Sequence, residues 1–195
     1  MEKFEKRGIS PKIFWTLGAT ILVAVLLPLH RGWSRPPAPA GTFSSGPGLP
    51  GSQFLPQVER EVGRLTNATR RQQGLPLLKL EPTLTAISRQ HSLDMLRRRF
   101  FSHQNPEGLS LMDRLPPAYA SRISRSGENI WTGSGHSPTD PRTLARLMLT
   151  AWMASPRHRG NILTPGFTYL GVGVAGSGGE VRATQIFVGI DAKSP

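Results

Sequence analysis

The sequence predicts an α+β domain in which helices cover the faces of an antiparallel sheet. Three apolar patterns at helical spacing lie between residues 55 and 155, and two strand-like apolar segments follow at residues 169–175 and 181–188. Residues 176–180 between these segments read Gly-Ser-Gly-Gly-Glu, which supplies glycines for the positive φ angles of a hairpin. Helices that come first and paired strands that come last favour this fold class.

The first two predicted helices have recognisable end signals. The first begins near Leu55 and ends at Gly74, and its basic residues come late, where they complement the helix dipole. The second opens at Pro82, a residue that is favourable in the first turn of a helix. Its predicted inner face consists of Leu84, Ile87, Ser88, His91 and Met95. His91 is therefore interpreted as a core residue.

The third predicted helix starts with Asp140 as its N-cap and Pro141 in its first turn. Its predicted buried stripe is Leu144, Leu147, Met148, Ala151 and Trp152. We interpret this stripe as core rather than as a set of cofactor contacts. Ser155 and Pro156 end the helix and begin a short turn that runs to Leu163.

The remaining segments predict shorter elements. Residues 75–80 are expected to form an extended turn, and residues 100–109 a loop with the turn sequence Asn-Pro-Glu-Gly. One or two helical turns are expected at residues 110–115, irregular structure at residues 116–126 and a short strand at residues 127–132.

Composition limits the classes of partner. The chain has 24 Lys+Arg against 12 Asp+Glu, a formal charge of +12, and such a charge can attract nucleic acid, anionic lipid or an anionic cell-wall polymer. The arginines are scattered and no nucleic-acid-binding motif accompanies them, so no nucleic acid is expected as a partner. Cysteine is absent, which excludes disulfides, thiolate zinc sites and a cysteine nucleophile.

The N-terminal region divides into three segments. Residues 1–12 are basic, residues 13–29 are an uncharged apolar run, and residues 30–54 form a linker rich in Pro, Gly and Ser. A basic flank before an apolar run orients the following chain outside the cytoplasm. We therefore expect an exported protein, either anchored in the membrane with its domain outside or secreted after cleavage near Ala40.

Three polar residues in separate structured segments are candidates for chemistry: His103, Glu128 and His158. Each has a structural alternative: a loop hydrogen bond for His103, a salt bridge to an arginine for Glu128 and a helix cap for His158. The arginines beside His158 disfavour its protonated form, and neutral imidazole is the form that binds metals. Two imidazoles and a carboxylate suit a zinc site or an acid–base set, and both remain open. Neither a His-Glu-x-x-His helix nor a Gly-x-Ser-x-Gly elbow is present.

Several motifs in order resemble the CAP (SCP/TAPS) superfamily in its short, cysteine-free bacterial form, over residues 55–191. The motifs are Asn67-Ala-Thr-Arg70, Phe101-Ser-His103, Gly127-Glu-Asn-Ile130, Ser155-Pro-Arg-His-Arg-Gly-Asn-Ile-Leu163, Leu170-Gly-Val-Gly-Val174 and Thr184-Gln-Ile-Phe187. The resemblance implies a three-layer α-β-α sandwich with a central antiparallel sheet. It also implies a cleft lined by two histidines and two glutamates.

By motif, His103, Glu128 and His158 match three members of this tetrad, and Ser155 stands where the second glutamate is usual. The resemblance thus implies a cleft at His103, Glu128, Ser155 and His158, with His103 and His158 as ligands for zinc or another divalent cation. Glu128 is the candidate catalytic base, but the missing carboxylate weakens acid–base chemistry.

Three functions follow as hypotheses, because superfamily membership does not fix an activity. The first is a binding module whose cleft takes an apolar or envelope-derived ligand, such as a lipid or a cell-wall component, with or without a divalent metal. The second is a structural envelope protein that binds anionic polymer. The third is a metal-assisted peptidase or other hydrolase.

Overall fold

The computed structural model describes residues 54–134 and 140–190. The predicted basic segment, the apolar run and the linker up to residue 53, with the cleavage site near Ala40, lie outside the described residues. Among the residues described, no helix combines the length and apolar character that a membrane span requires.

Six helices and four strands make up this part of the chain. In order they are α1 Phe54–Gln72, β1 Lys79–Leu80, α2 Pro82–Arg97, α3 Leu111–Arg114, α4 Pro117–Ala120, β2 Ile123–Ser134, α5 Pro141–Ala154, α6 Pro156–Leu163, β3 Tyr169–Ser177 and β4 Glu180–Ile190. The predicted helix ends are confirmed: Gly74 follows α1 with φ of 68°, and Asp140 caps α5 by accepting backbone hydrogen bonds.

The four strands form one sheet in the order β1-β3-β4-β2. Strands β2, β4 and β3 pair antiparallel, whereas the short β1 pairs parallel with β3 through Lys79 and Tyr169. Successive strand residues point to opposite faces. Leu170 and Phe187 accordingly pack with α1, α5 and α6, and Ile186 packs with α2 and α3. The three-layer sandwich is therefore confirmed, with strand β2 at one edge.

The β3–β4 hairpin is tighter than the sequence predicts. The strands extend to Ser177 and Glu180, and Gly178 and Gly179 alone form the turn, with φ angles of 57° and 79°. Two successive positive φ angles match the twist of the flanking strands and require residues such as glycine.

Three predictions about local structure are wrong. The segment 156–163 is not a short turn, because it forms the helix α6. The segment 116–126 is not irregular, because it contains α4 and the start of β2. In α5, Leu147 is 43% exposed and Ala151 is exposed, whereas Ala145 is buried. The buried face of α5 therefore includes Ala145 and excludes Leu147 and Ala151. The surface of α5 that meets the sheet and α1 is narrower than the stripe of apolar residues in the sequence.

Candidate functional site

A cleft of about 760 Å³ opens at the β2 edge of the sheet. Its walls come from the loop 101–104, from residues 110–112 at the start of α3, from residues 126–128 and Ile130 of β2 and from His158 of α6. The large apolar side chains of Phe101 and Met112 are exposed there. The cleft therefore joins an apolar wall to a cluster of polar groups.

Glu128 lies in β2 with its side chain only 5% exposed. One carboxylate oxygen, Oε1, is 2.9 Å from Nδ1 of His103, and the other, Oε2, accepts a 2.8 Å hydrogen bond from Nη2 of Arg114. The salt bridge to an arginine, which the sequence left open for Glu128, is therefore present. This salt bridge lies inside the cleft. Together with the contact to His103, it engages both oxygens of the carboxylate.

Arg114 has a second function in the geometry of the cleft. Its guanidinium also donates to the backbone carbonyls of Ser110 and His103, both at 3.1 Å. The Ser110–Asp113 capping box fixes the short helix α3, which ends at Arg114. Arg114 therefore ties the His103 loop, α3 and Glu128 together. The sequence did not reveal this residue, because no local pattern connects Arg114 to a carboxylate on another element.

The contact with Glu128 defines the tautomer of His103. A carboxylate paired with a guanidinium only accepts hydrogen bonds, so Nδ1 of His103 carries the proton. In the neutral form of this tautomer, Nε2 keeps its lone pair. Carboxylates that orient metal-binding or proton-accepting imidazoles act in this way.

His158 faces His103 from the other side of the cleft. The centroids of the two rings are 6.4 Å apart, and their planes are inclined by 58°. Burial is the main cause that lowers the pKa of His158, and Coulombic interactions with His103 and Arg157 lower it further. The neutral imidazole is therefore favoured, as predicted, with burial rather than the flanking arginines as the main cause.

A buried polar network holds His158 and Glu128 in place. Asn129 Nδ2 donates to the carbonyl of His158 at 3.1 Å and to Gln185 Oε1 at 3.2 Å. Asn161 Nδ2 donates to the carbonyl of Glu128 at 3.1 Å and to Asn129 Oδ1 at 2.9 Å. The sequence motifs contain Asn129 and Asn161, but they do not predict this role, because buried amides on separate elements have no periodic signal.

Ser155 is placed differently from the other candidates. It caps the junction of α5 and α6, where its carbonyl accepts from the backbone N–H of Arg159 at 2.8 Å. Ser155 is not among the residues that line the cleft, whereas His103, Glu128 and His158 all are.

His91 is a buried residue that contacts the backbone of the His103 loop. It is 1% exposed, as its interpretation as a core residue requires, and its Nε2 lies 3.0 Å from the carbonyl of Ser102. Burial is the main cause that lowers its pKa. The contact with Ser102 fixes the backbone directly before His103.

The described residues contain no group of three or more His, Cys, Asp or Glu side chains suited to hold a metal ion. Among the His, Asp and Glu side chains that line the described cleft, Glu128 has both oxygens engaged, so the imidazoles of His103 and His158 are the metal ligands that remain. The residues therefore fit a divalent ion only as a two-imidazole site whose other positions are filled by water or by a ligand.

Residues 64–190 match the family model for CAP, the cysteine-rich secretory protein family. The chain belongs to the CAP family. It does so without cysteine, as the short bacterial type of the resemblance implies. The fold and the ordered motifs agree with this assignment.

Relatives of this CAP protein occur in several bacteria. The uncharacterized protein YkwD of Bacillus subtilis (strain 168) is 36% identical over 156 residues, which are 80% of this chain and 56% of YkwD. An extracellular protein of Bacillus anthracis str. Ames that contains an SCP domain is 34% identical, with a TM-score of 0.59, and the match covers 74% of this chain and 45% of that protein. The chain thus spans about half the length of these relatives.

A more distant structure shares the fold alone. An outer surface protein of Borrelia burgdorferi is 15% identical, with a TM-score of 0.60. The match covers 69% of this chain and 94% of that protein.

Proposed function

We propose that this CAP domain is an exported binding module whose cleft takes an apolar or envelope-derived ligand. The proposal rests on one observation: the cleft has an exposed apolar wall, at Phe101 and Met112, beside fixed polar groups at His103 and His158. Small-molecule sites have this composition: mostly apolar walls with a few polar groups that set orientation. The basic and apolar N-terminal segments, and the extracellular relative in Bacillus anthracis, support export.

The state of Glu128 favours binding over hydrolysis. A general base needs a free lone pair within reach of the proton that it removes. Glu128 already accepts one hydrogen bond at each oxygen, from His103 and from Arg114, and its side chain is only 5% exposed, which restricts the approach of a substrate proton. Ser155 supplies no second carboxylate, so the metal-assisted peptidase is the weaker hypothesis.

The binding function is tested with a neutral apolar probe, N-phenyl-1-naphthylamine, titrated by fluorescence. Met112→Glu places a charge on the apolar wall and is expected to weaken binding about tenfold or more. Leu147→Glu is the matched control, because Leu147 is similarly exposed, 43% against 39% for Met112, but lies on α5 outside the cleft. Equal affinity of the two variants, or no saturable binding by the wild type, would contradict the proposal.

We also propose that His103 and His158 bind a divalent cation in the cleft together with the ligand. When bound it would supply a Lewis-acidic centre at the polar end of the cleft. Zinc titration by calorimetry is expected to show one site in the wild type and none in the His103→Ala/His158→Ala double variant. Glu128→Gln keeps both imidazoles and is expected to weaken zinc binding about 10- to 100-fold, since it removes the carboxylate that orients His103.

A structural role at the cell envelope is the second candidate, favoured by the net charge of +12. Attachment of exposed arginines to an anionic polymer is Coulombic and is screened by salt. Sedimentation with purified cell wall that disappears in high salt but survives loss of both cleft histidines would favour this role over the cleft.

A further inference from the structure

The described part of the cleft lining carries no unpaired carboxylate, lysine or arginine. Glu128 is the one residue of these types among the described residues that form the lining, and its carboxylate is paired with Arg114 at 2.8 Å. The lowered pKa of His158 favours its neutral imidazole. Removal of an ionic group from water is costly without a compensating charge. The lining therefore favours a neutral ligand.

Neutral hydrogen-bonding side chains enter the cleft from three elements. Ser102 and Gln104 lie on the loop, Ser110 precedes α3, and Ser126 belongs to β2. Oγ of Ser102 accepts from the backbone N–H of Gln104 at 3.2 Å, so its own O–H is left to donate. The side chains of Gln104 and Ser126 are exposed and form no hydrogen bond with another residue of the described ranges 54–134 and 140–190. These groups can both donate to and accept from the hydroxyl and amide groups of a ligand.

This arrangement distinguishes between classes of neutral ligand. An acyl chain or a sterol carries its polar atoms at one end, so a cleft with polar side chains on three elements would leave several of them unpaired against its apolar part. Such burial of unpaired polar groups is costly. A sugar ring, in contrast, carries hydroxyl groups around its whole rim. The spread of Ser102, Gln104, Ser110 and Ser126 therefore suits a polyhydroxylated ligand.

The exposed aromatic ring in the cleft fits the same class. Phe101 lines the cleft and is 48% exposed. The face of an aromatic ring carries partial negative charge. The axial C–H groups of a pyranose ring form an apolar face with partial positive charge, which stacks on such a surface. Because Phe101 directly precedes Ser102, a stacked sugar ring would lie beside the hydrogen-bonding groups of the loop.

We propose that the cleft binds a neutral oligosaccharide, with one pyranose ring stacked on Phe101 and with hydroxyl or amide groups bonded to Ser102, Gln104 and Ser126. The inference rests on the proposed binding function and names the class of ligand. The volume of about 760 Å³ lies in the upper part of the range of ligand pockets, roughly 300–1,000 Å³, and accommodates more than one sugar ring.

The test titrates the full chain with a neutral tetramer of β-1,4-linked N-acetylglucosamine by calorimetry. Phe101→Ala is expected to weaken binding about tenfold or more, because the stacking surface is lost. Phe101→Tyr keeps the ring and should bind as the wild type does. Leu109→Ala is the matched control, since Leu109 is also exposed, at 43%, in the segment before α3 but does not line the cleft.

Phe101→Leu separates stacking from general apolar contact. Leucine keeps an apolar side chain without an aromatic face, so the tetrasaccharide should bind about threefold or more weakly. The naphthylamine probe, which needs only apolar contact, should bind this variant nearly as well as the wild type. Tetrasaccharide binding that is equal in the Phe101→Leu and wild-type proteins would overturn the proposal.

The polar contacts give an independent measurement. Gln104→Ala is expected to weaken tetrasaccharide binding about threefold or more, and Gln90→Ala, at an exposed position of α2 outside the cleft, should leave it unchanged. Because the ligand is uncharged, its affinity should be the same in low and high salt, unlike Coulombic attachment to an anionic polymer. Equal effects of the two glutamine variants, or a steep fall in affinity with salt, would contradict the assignment.

The two hypotheses about the cleft can fail separately. If the wild type shows no saturable binding of the tetrasaccharide but binds the naphthylamine, the oligosaccharide is overturned and the cleft remains a binding site for a different class of ligand. If neither probe binds, the proposed binding function is overturned as well.

Discussion

Asn129 donates a hydrogen bond of 3.1 Å from its side-chain amide to the backbone carbonyl of His158. Asn129 is fully buried in β2, whereas His158 belongs to α6. The same amide also donates to Oε1 of Gln185, and Nε2 of Gln185 in turn donates to Thr66 Oγ1 of α1 at 2.8 Å. The position of His158 relative to β2 is therefore set by the buried interior of the protein.

Loss of this amide should destabilise the protein and release His158. Asn129→Ala leaves the carbonyl of His158 and the Oε1 of Gln185 without their donor, and we expect the free energy of unfolding to fall by about 1–3 kcal/mol. Urea denaturation measures the loss, and the ring resonances of His158 in NMR spectra report the changed position. Gln90→Ala, at an exposed position of α2, should change stability by less than about 0.5 kcal/mol. A fully stable Asn129→Ala protein would contradict the account.

The Arg114–Glu128 pair should behave as a buried ion pair. Their side chains are 11% and 5% exposed, and removal of one partner leaves the other charge uncompensated. Arg114→Met is expected to cost about 3–5 kcal/mol, and the double variant with Glu128→Gln should recover part of that loss. The exposed pair Arg64–Glu61 is the control, with an expected coupling below about 1 kcal/mol in the same double-mutant cycle. Additive effects of the two cleft substitutions would argue against the pairing.

Helix ends were the part of the fold that the sequence predicted best. Gly74, Pro82 and Asp140 carry signals that act within one helical turn, so their effect does not depend on the rest of the fold. The buried side of α5 was predicted less well, because Leu147 and Ala151 are apolar and the sequence does not show where the sheet lies. Burial depends on the partner element, and the partner is known only from the tertiary structure.

The residues of the candidate site also fall into those that the sequence indicates and those that only the structure shows. His103, Glu128 and His158 could be named from their residue types and motifs, and the structure places them together. Arg114 and Gln185 could not, because an ionic or amide contact between distant elements leaves no periodic trace in the sequence. Sequence motifs thus indicated which groups carry chemistry, whereas the residues that position them required coordinates.

The approach of α2 to the sheet depends on glycine in β3. A Cβ atom on Gly173 would overlap the backbone of Ser88 and Arg89, which belong to α2 and cannot turn aside as a side chain does. Gly173→Ala is therefore expected to lower the free energy of unfolding by about 1–3 kcal/mol or more. Thermal and urea denaturation measure this loss.

Gly160→Ala supplies the matched control for Gly173→Ala. A Cβ on Gly160 would meet no atom within 4 Å, and Gly160 lies inside α6. Alanine has a higher helix propensity than glycine, so this variant should gain about 0.5–1 kcal/mol. Effects of equal sign at the two positions would show that close packing of α2 does not explain the glycine in β3.

Stability should fall between neutral and mildly acidic pH, and His158 should contribute to the fall. Burial, then Coulombic interactions with His103 and Arg157, lower the pKa of His158 in the folded protein. The unfolded chain therefore binds the proton more readily, so stability that is present above the unfolded pKa of about 6.5 is lost as the pH falls towards the lower folded pKa. The pKa of His91 is lowered by burial and acts in the same direction.

Urea denaturation at about pH 7.5 and pH 5.5, on either side of the unfolded pKa of histidine, tests this linkage. The His158→Gln protein should lose less stability between the two pH values than the wild type, because glutamine takes up no proton in either state. His91→Gln gives an independent comparison, and the double variant should show the smallest change. NMR titration of the His158 ring measures its pKa directly. If the His158→Gln protein loses as much stability as the wild type, the imidazole is not protonated more readily in the unfolded chain, and the lowered pKa that burial gives His158 in the folded protein would be wrong.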